Sequence, residues 1–296
     1  MVSPKQLAVA IGVSESSLKR WADEGLLSFV RTAGGHRRIP LPEAVRFVRH
    51  MGIKITAPGE IGLADGPATL TDFADPALVN EHFHAALEQG DLNAARALIQ
   101  NLFLAGWSAA AIADGPIRSA LARIGTLWQH AEWGIVVEHR ATDVCLQTLN
   151  HLRSMLPPRR ENAPTAIGGA GEHDPYMIPS LAAAVALAEA GFNEVNLGPL
   201  TPGKTLANAV EHYKPQIVWW SISHATEPRK LEAALVTLAQ VCAQHGASLV
   251  VGGSAVGAMT PAQAGGATIA RSMSELVAFA RGRCGHALTP DALPNG

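Results

Sequence analysis

Two groups of residues in this chain of 296 have the types and spacing to do chemistry. The first lies near the start. Ser16, Ser17, Lys19 and Arg20 fall on the polar side of a short helical stretch, and Arg31, His36, Arg37 and Arg38 flank the pair Gly34-Gly35. Hydroxyls and cations on one helix face can reach base edges and phosphates in a major groove. Guanidiniums beside a flexible turn suit phosphate or minor-groove contact. The second group is spread along the remainder. Trp128 is followed, after nine intervening residues, by Glu138-His139. Asp174-Pro175-Tyr176 sits in a loop, and Ser221-Ile222-Ser223 and Gly252-Gly253 stand at the ends of apolar runs. Glu138 and His139 are odd choices for the interior of a helical bundle, because a buried charge without a partner is costly. Glycines at the C-terminal ends of parallel strands allow close backbone approach where ligands of such sheets sit.

The elements that must position these residues follow from the pattern of caps and breaks. Ser3 and Pro4 start a first helix running to Val9. Ser14 caps a second, Glu15 to Glu24, which Gly25 ends. Phe29 to Ile39 reads as a hairpin with Gly34-Gly35 at its tip, and Pro42 opens a last helix, Glu43 to His50. This head spans residues 1–55. Residues 56–75 are rich in Gly, Ala, Pro and Asp and predict a flexible linker. Residues 76–158 are helical throughout, with breaks at Gly90-Asp91, Gly106-Trp107 and Gly115-Pro116 and helices over 77–89, 91–105, 108–128 and 133–155, a four-helix bundle closed by Pro157-Pro158. Residues 163–285 alternate strands (163–168, 194–197, 216–221, 248–251) with helices (180–190, 205–213, 229–245, 272–283). That alternation predicts a doubly wound parallel sheet, with residues 286–296 as a tail. The fold class is therefore multidomain, α and α/β.

Composition narrows the function. Residues 1–55 hold nine Lys/Arg against four Asp/Glu, whereas the remainder holds 14 against 21. A basic head on an acidic body is what a DNA-binding module attached to a sensor shows. No apolar run reaches the ~18 residues of a membrane span. The start lacks a secretory pattern, so no membrane partner is expected. Cys145, Cys242 and Cys284 are scattered, with neither metal spacing nor a disulfide framework, which fits a reduced cytoplasm. No nucleophile–base set, paired catalytic carboxylates or phosphate loop is present, so the chain is not expected to be an enzyme.

Residues 3–50 resemble the winged helix-turn-helix of MerR-type regulators. The likeness rests on Ser14-Glu15-Ser16-Ser17-Leu18-Lys19-Arg20-Trp21, Glu24-Gly25-Leu26-Leu27 and Arg31-Thr32-Ala33-Gly34-Gly35-His36-Arg37-Arg38. It implies double-stranded DNA as partner, contacted by Ser16, Ser17, Lys19, Arg20, Arg31, His36, Arg37 and Arg38. It also implies a homo-oligomer, dimer or tetramer, because one head makes few contacts. Residues 76–283 resemble the cobalamin module of methionine synthase and of CarH/LitR-type light-responsive repressors, a helical cap with a Rossmann-like, cobalamin-binding-type domain. In that family an Asp/Glu-x-His-x-x-Gly loop gives cobalt its lower histidine, and a Ser-x-Leu-type segment and a Gly-Gly turn line the slot for the nucleotide tail. Ser221-Ile222-Ser223 and Gly252-Gly253 match the last two elements, with Ser223 replacing leucine. The set Trp128, Glu138 and His139 matches the cap. The resemblance implies that Trp128 covers the adenosyl group, that Glu138 hydrogen-bonds it, and that His139 takes the upper face of cobalt after light breaks the Co–C bond.

The loop element departs. Asp174 keeps the acidic position, but Tyr176 stands at the histidine and Pro179 at the glycine. A phenol is a hard oxygen donor that stays protonated at neutral pH and does not imitate imidazole. His173, three residues from Tyr176, reads as a surface residue. Three readings stay open. Adenosylcobalamin binds without a lower histidine and controls a repressor's assembly under light; another tetrapyrrole, a bilin or haem, takes the slot; or the pocket is vestigial and the regulator is cobalamin-independent.

Overall fold

The structure is a computed structural model that describes residues 1–65, 75–127 and 132–285. Its local order begins with caps. The Ser3 hydroxyl accepts from the Gln6 N–H while the Gln6 side chain accepts from the Ser3 N–H, a reciprocal box that starts α1 (Pro4–Ile11). Ser14 accepts from the Ser17 N–H at the start of α2 (Glu15–Asp23). The strands β1 (Val30–Arg31) and β2 (Arg37–Arg38) pair antiparallel, with Val30 opposite Arg38 and Arg31 opposite Arg37. Gly35 turns the tip at a φ of 78°, which a side chain rarely adopts. After α3 (Leu41–Met51), Leu7, Leu18, Ile39 and Phe47 close a small core. Leu27 rather than Leu26 is the buried member of its pair. Arg46 donates to both Glu43 carboxylate oxygens and to the Leu26 carbonyl, fixing the entry of the hairpin to α3.

The stretch expected to be a linker is ordered as far as it is described. Pro58–Ile61 forms a 3-10 turn, and the N–H groups of Thr56 and Ala57 donate to the Ala10 carbonyl. Ile61 and Leu63 are buried anchors that a Gly- and Pro-rich composition conceals. Residues 66–74 lie outside the described residues.

Four helices, α4 (Pro76–Gln89), α5 (Leu92–Leu104), α7 (Arg118–Leu127) and α8 (Glu132–Ser154), pack against one another. The helix predicted over 108–128 is broken. A short α6 (Ala109–Ile112) leads into a π-helical turn at Ala113–Ile117, where Pro116 lacks the N–H that an α-helix needs. The chain divides into two compact units, and residues 109–114 group with those from 159 onward, not with the bundle.

In that second unit the elements run β3 (Thr165–Ala170), α9 (Ile178–Glu189), β4 (Asn193–Asn196), α10 (Gly203–Tyr213), β5 (Ile217–Ser221), α11 (Pro228–Gln244), β6 (Ser248–Gly252), β7 (Thr268–Ile269) and α12 (Met273–Cys284). All five strands are parallel, in the order β4-β3-β5-β6-β7. Helices α10 and α11 cover one face through Leu206, Val210, Leu235 and Leu238. Helices α9 and α12 cover the other through Ala183, Leu187, Leu276 and Ala280. The doubly wound sheet is as predicted, except that the two-residue β7 carries too little pattern to be read. The Asp114 carboxylate accepts from the N–H groups of Met273 and Ser274 and caps α12, and Glu189 accepts from the Ala109 N–H. Those bonds place residues 109–114 with the sheet. Among the described residues no helix is long and apolar enough to cross a membrane.

In the first unit Gln100 is fully buried. Its amide donates to the Ala64 carbonyl at 3.2 Å, and its oxygen accepts from the Ala64 N–H at 2.8 Å and from His151 Nε2 at 3.0 Å. Gln100→Leu keeps the volume and strands the Ala64 groups, so it should cost about 1–3 kcal/mol of stability, read by denaturant unfolding. Burial, and secondarily Arg96, lowers the His151 pKa below the ordinary histidine value. The unfolded chain then takes up a proton that the folded chain resists. Stability is full above about pH 6.5 and falls as the pH drops below it, and His151→Gln should flatten that decline.

Candidate functional site

Asp174 gathers the loops at the C-terminal edge of the sheet. Its N–H donates to the Gly171 carbonyl at 2.9 Å, and Gly171 in turn donates to the Ser221 carbonyl at 2.8 Å. The carboxylate is fully buried. One oxygen accepts from the Tyr176 N–H at 2.9 Å and the other from the Ser223 N–H. The Asp174 carbonyl accepts from the Leu200 N–H at 3.1 Å. The Ser223 carbonyl accepts from the Ser254 hydroxyl at 2.8 Å, adding the loop after β6. Gly253 has a φ of 103°, and a Cβ there would lie 2.4 Å from the Ile222 carbonyl oxygen. Asp174, Ser221, Ser223, Gly252 and Gly253 are thus brought together at the switch point of the strand order, where ligands of such sheets sit.

Tyr176 joins this cluster only through its backbone. Its side chain is 52% exposed, and Met177 and Leu200 beside it are exposed as well. Sequence reading missed these two, because single apolar residues in a loop have no period. It also missed Ser180 and Asn196. Trp219 Nε1 donates to the Ser180 hydroxyl at 3.1 Å, and that hydroxyl donates to Asn196 Oδ1 at 2.9 Å. The signal for this chain, an indole preceding Ser221 on a buried strand, is present in the sequence but not specific.

In the bundle, Glu138 and His139, expected to face a ligand slot, stand off the packed face of α8. His139 is exposed and Glu138 half-buried, because Val137, Ala141 and Val144 take the inward positions of α8. Trp133, Ile135 and Val136 are exposed on the same helix. Trp128 lies outside the described residues. Among the described residues no group of three His, Cys, Asp or Glu side chains could hold a metal ion. Burial pushes the Cys145 and Cys242 thiols up to about 12, which makes both poor thiolate donors.

In the head, Lys19, Arg20, Arg31, His36 and Arg37 are exposed. Arg37 lies over the Phe29 ring at 5.4 Å. Arg38 is half-buried, with Nη1 donating to the Arg37 carbonyl at 3.1 Å. The hydroxyls of Ser16 and Ser17 bond to that of Ser14, at 2.8 and 3.0 Å, so they belong to the start of α2 as much as to its outer face.

Set against a corrinoid, the donor set is split. The glycine turn, Ser221 and the acidic Asp174 are in place. A lower ligand is not, since Tyr176 supplies a phenol, and the layer beneath Ser221 is filled by Trp219.

Residues 79–153 match the family described as the B12 binding domain. Comparison with curated proteins finds no match. Among solved structures, the monomethylamine corrinoid protein of Methanosarcina barkeri is similar over 70% of this chain and 98% of its own, at 16% identity and a TM-score of 0.55. A cobalamin-binding protein from Desulfitobacterium hafniense DCB-2 aligns over 69% of this chain and 98% of its own, at 16% identity and a TM-score of 0.37. The methanol:cobalamin methyltransferase complex of Methanosarcina barkeri aligns over 70% of this chain and 80% of its own, at 16% identity and a TM-score of 0.36. At such identities the first of these shows a shared fold of helices followed by a parallel α/β sheet.

Asp174→Asn leaves one oxygen to serve two backbone donors. It should lower stability by about 1–3 kcal/mol, and hydrogen exchange at Tyr176 and Ser223 should quicken more than at the core of β5.

Proposed function

We propose that the chain is a DNA-binding transcriptional regulator, a repressor, whose assembly is set by a corrinoid held by its bundle-and-sheet module. The observation that carries this reading is the match of residues 79–153 to the B12 binding domain family, on a chain whose head is a basic module of three helices and a hairpin. Adenosylcobalamin is the ligand assigned, with illumination as its control. The head corresponds to a winged helix-turn-helix. Lys19 and Arg20 on the exposed side of α2 serve the major groove, and Arg31, His36 and Arg37 on the hairpin serve the backbone or minor groove. Linking two or more heads in a dimer or tetramer raises the effective concentration of each at its half-site, so control of assembly is control of DNA occupancy. The reading gives the chain no catalytic step and places it in the cytoplasm.

The exposed phenol of Tyr176 favours a second reading, a cobalamin-independent regulator with a vestigial pocket. A bilin or haem in place of the corrinoid is its variant. One experiment separates them. Full-length protein is incubated with adenosylcobalamin, with haemin or with biliverdin, in the dark and after illumination, then passed through gel filtration with light scattering and assayed for binding to DNA upstream of its own gene. The proposal expects corrinoid retained on the protein and a change in both assembly and DNA affinity. Protein that binds no DNA, or whose assembly ignores every ligand and light condition, sinks it. Replacing Arg31 or Arg37 by Ala should weaken binding to all sequences alike and reduce the steepness of the log–log salt dependence by about 0.9 per lost phosphate contact, whereas Lys19→Ala or Arg20→Ala should narrow the gap between operator and unrelated DNA.

A further inference from the structure

We infer that the sheet takes a corrin macrocycle at its C-terminal edge and excludes the nucleotide tail that a cobalamin carries. This rests on the corrinoid reading above and says how that ligand is held. The tail ends in a benzimidazole, a fused bicycle about as large as an indole. To enter the α/β unit it must pass from the edge down one face of β5, and both faces are closed.

On the α9 side, Ser221 and Trp219 are two residues apart on β5 and point to the same face. A group passing Ser221 toward the core meets Trp219, which is 2% exposed. The ring rests on Gly168, its register partner on β3. A Cβ at Gly168 would lie 2.2 Å from Trp219 Cδ2. Bonds fix the ring. Nε1 donates to the Ser180 hydroxyl at 3.1 Å, the hydroxyl donates to Asn196 Oδ1 at 2.9 Å, and that oxygen also accepts from the Gly198 N–H at 3.1 Å. Moving the indole aside breaks this run and strands a buried N–H. On the α10 side Trp220 does the same. It is 2% exposed, its Nε1 donates to the Thr201 carbonyl at 3.2 Å, and its ring lies 3.1 Å from where a Cβ of Gly203 would stand.

What remains open at the edge suits a flat, largely apolar macrocycle. Tyr176, Met177 and Leu200 expose side chains there, and Gly253 is exposed beside them. No imidazole stands at Tyr176 to displace the benzimidazole from cobalt, so nothing draws the tail inward. Recognition therefore falls on the macrocycle, and the tail stays outside the sheet.

The test compares two corrinoids that differ only in the tail, adenosylcobalamin and adenosylcobinamide, titrated in the dark into the full-length protein. The inference expects dissociation constants within about threefold of each other, and bound cobalamin with the absorption of cobalt that still carries its own benzimidazole. Binding of the cobinamide weaker by about tenfold or more, or a bound cobalamin whose spectrum shows the base displaced, overturns the inference and leaves the corrinoid reading standing. Retention of neither corrinoid overturns both.

Discussion

Two adjacent tryptophans on a central strand impose the constraint around which the α/β unit is built. Successive residues of a strand point to opposite faces, so Trp219 and Trp220 drive one indole into each helical layer. Each buries on the order of 200 Å² and contributes about 5 kcal/mol of apolar burial, but only where the opposing positions are small. They are. Gly168 faces Trp219, and Gly203 opens α10 against Trp220. Helix α9 presents Ala183 and Ala184 to the layer that holds Trp219. The alanine-rich character of α9 is thus a packing requirement. An indole N–H must also find an acceptor when buried, and Ser180 and the Thr201 carbonyl supply one on each face.

The edge above the tryptophans is held by charge rather than by volume. A fully buried carboxylate is costly unless its oxygens are satisfied. Asp174 meets that condition with two backbone N–H donors from segments 49 and two residues away in sequence. The same bonds that make the carboxylate tolerable set the separation of the β3–α9 and β5–α11 loops. A rigid edge and a filled interior are complementary. The edge can present a surface of defined shape, while Trp219 and Trp220 fill the layers on the two faces of β5.

The larger elements were legible in the sequence because caps and periods are local. Ser3, Ser14 and Gly34-Gly35 mark their boundaries through chemistry within a few residues, and the alternation of apolar strands and amphipathic helices specifies the sheet. What escaped reading depends on distant partners. Gly115-Pro116 marks a break in the helical pattern, but the partner that fixes the segment before it is distant, because Asp114 caps α12 at residues 159 and 160 positions away. The stretch after Ala57 looked like a linker because the anchoring of Ala64 is written at Gln100. On α8 the packed face belongs to Val137, Ala141 and Val144, which leaves Glu138 and His139 off the core. At the C-terminal edge of the sheet the sequence indicates which residues gather, but not that the phenol of Tyr176 stays at the surface while Trp219 turns inward.

That division bears on how such a unit could transmit a signal. A ligand that inserts a long group between sheet and helices grips both layers, and its loss leaves a cavity that the fold must tolerate. A ligand confined to the edge leaves the packed layers unchanged when it departs, since Trp219 and Trp220 keep both filled. The energy available for switching then resides in the loops fastened by Asp174 and in the apolar side chains they expose. Differential contact at that surface, in one state of assembly and not in another, is the only currency by which occupancy of the edge can shift an equilibrium. With Trp219 and Trp220 held in both layers, the exposed Tyr176, Met177 and Leu200 are the apolar side chains that such a ligand would cover.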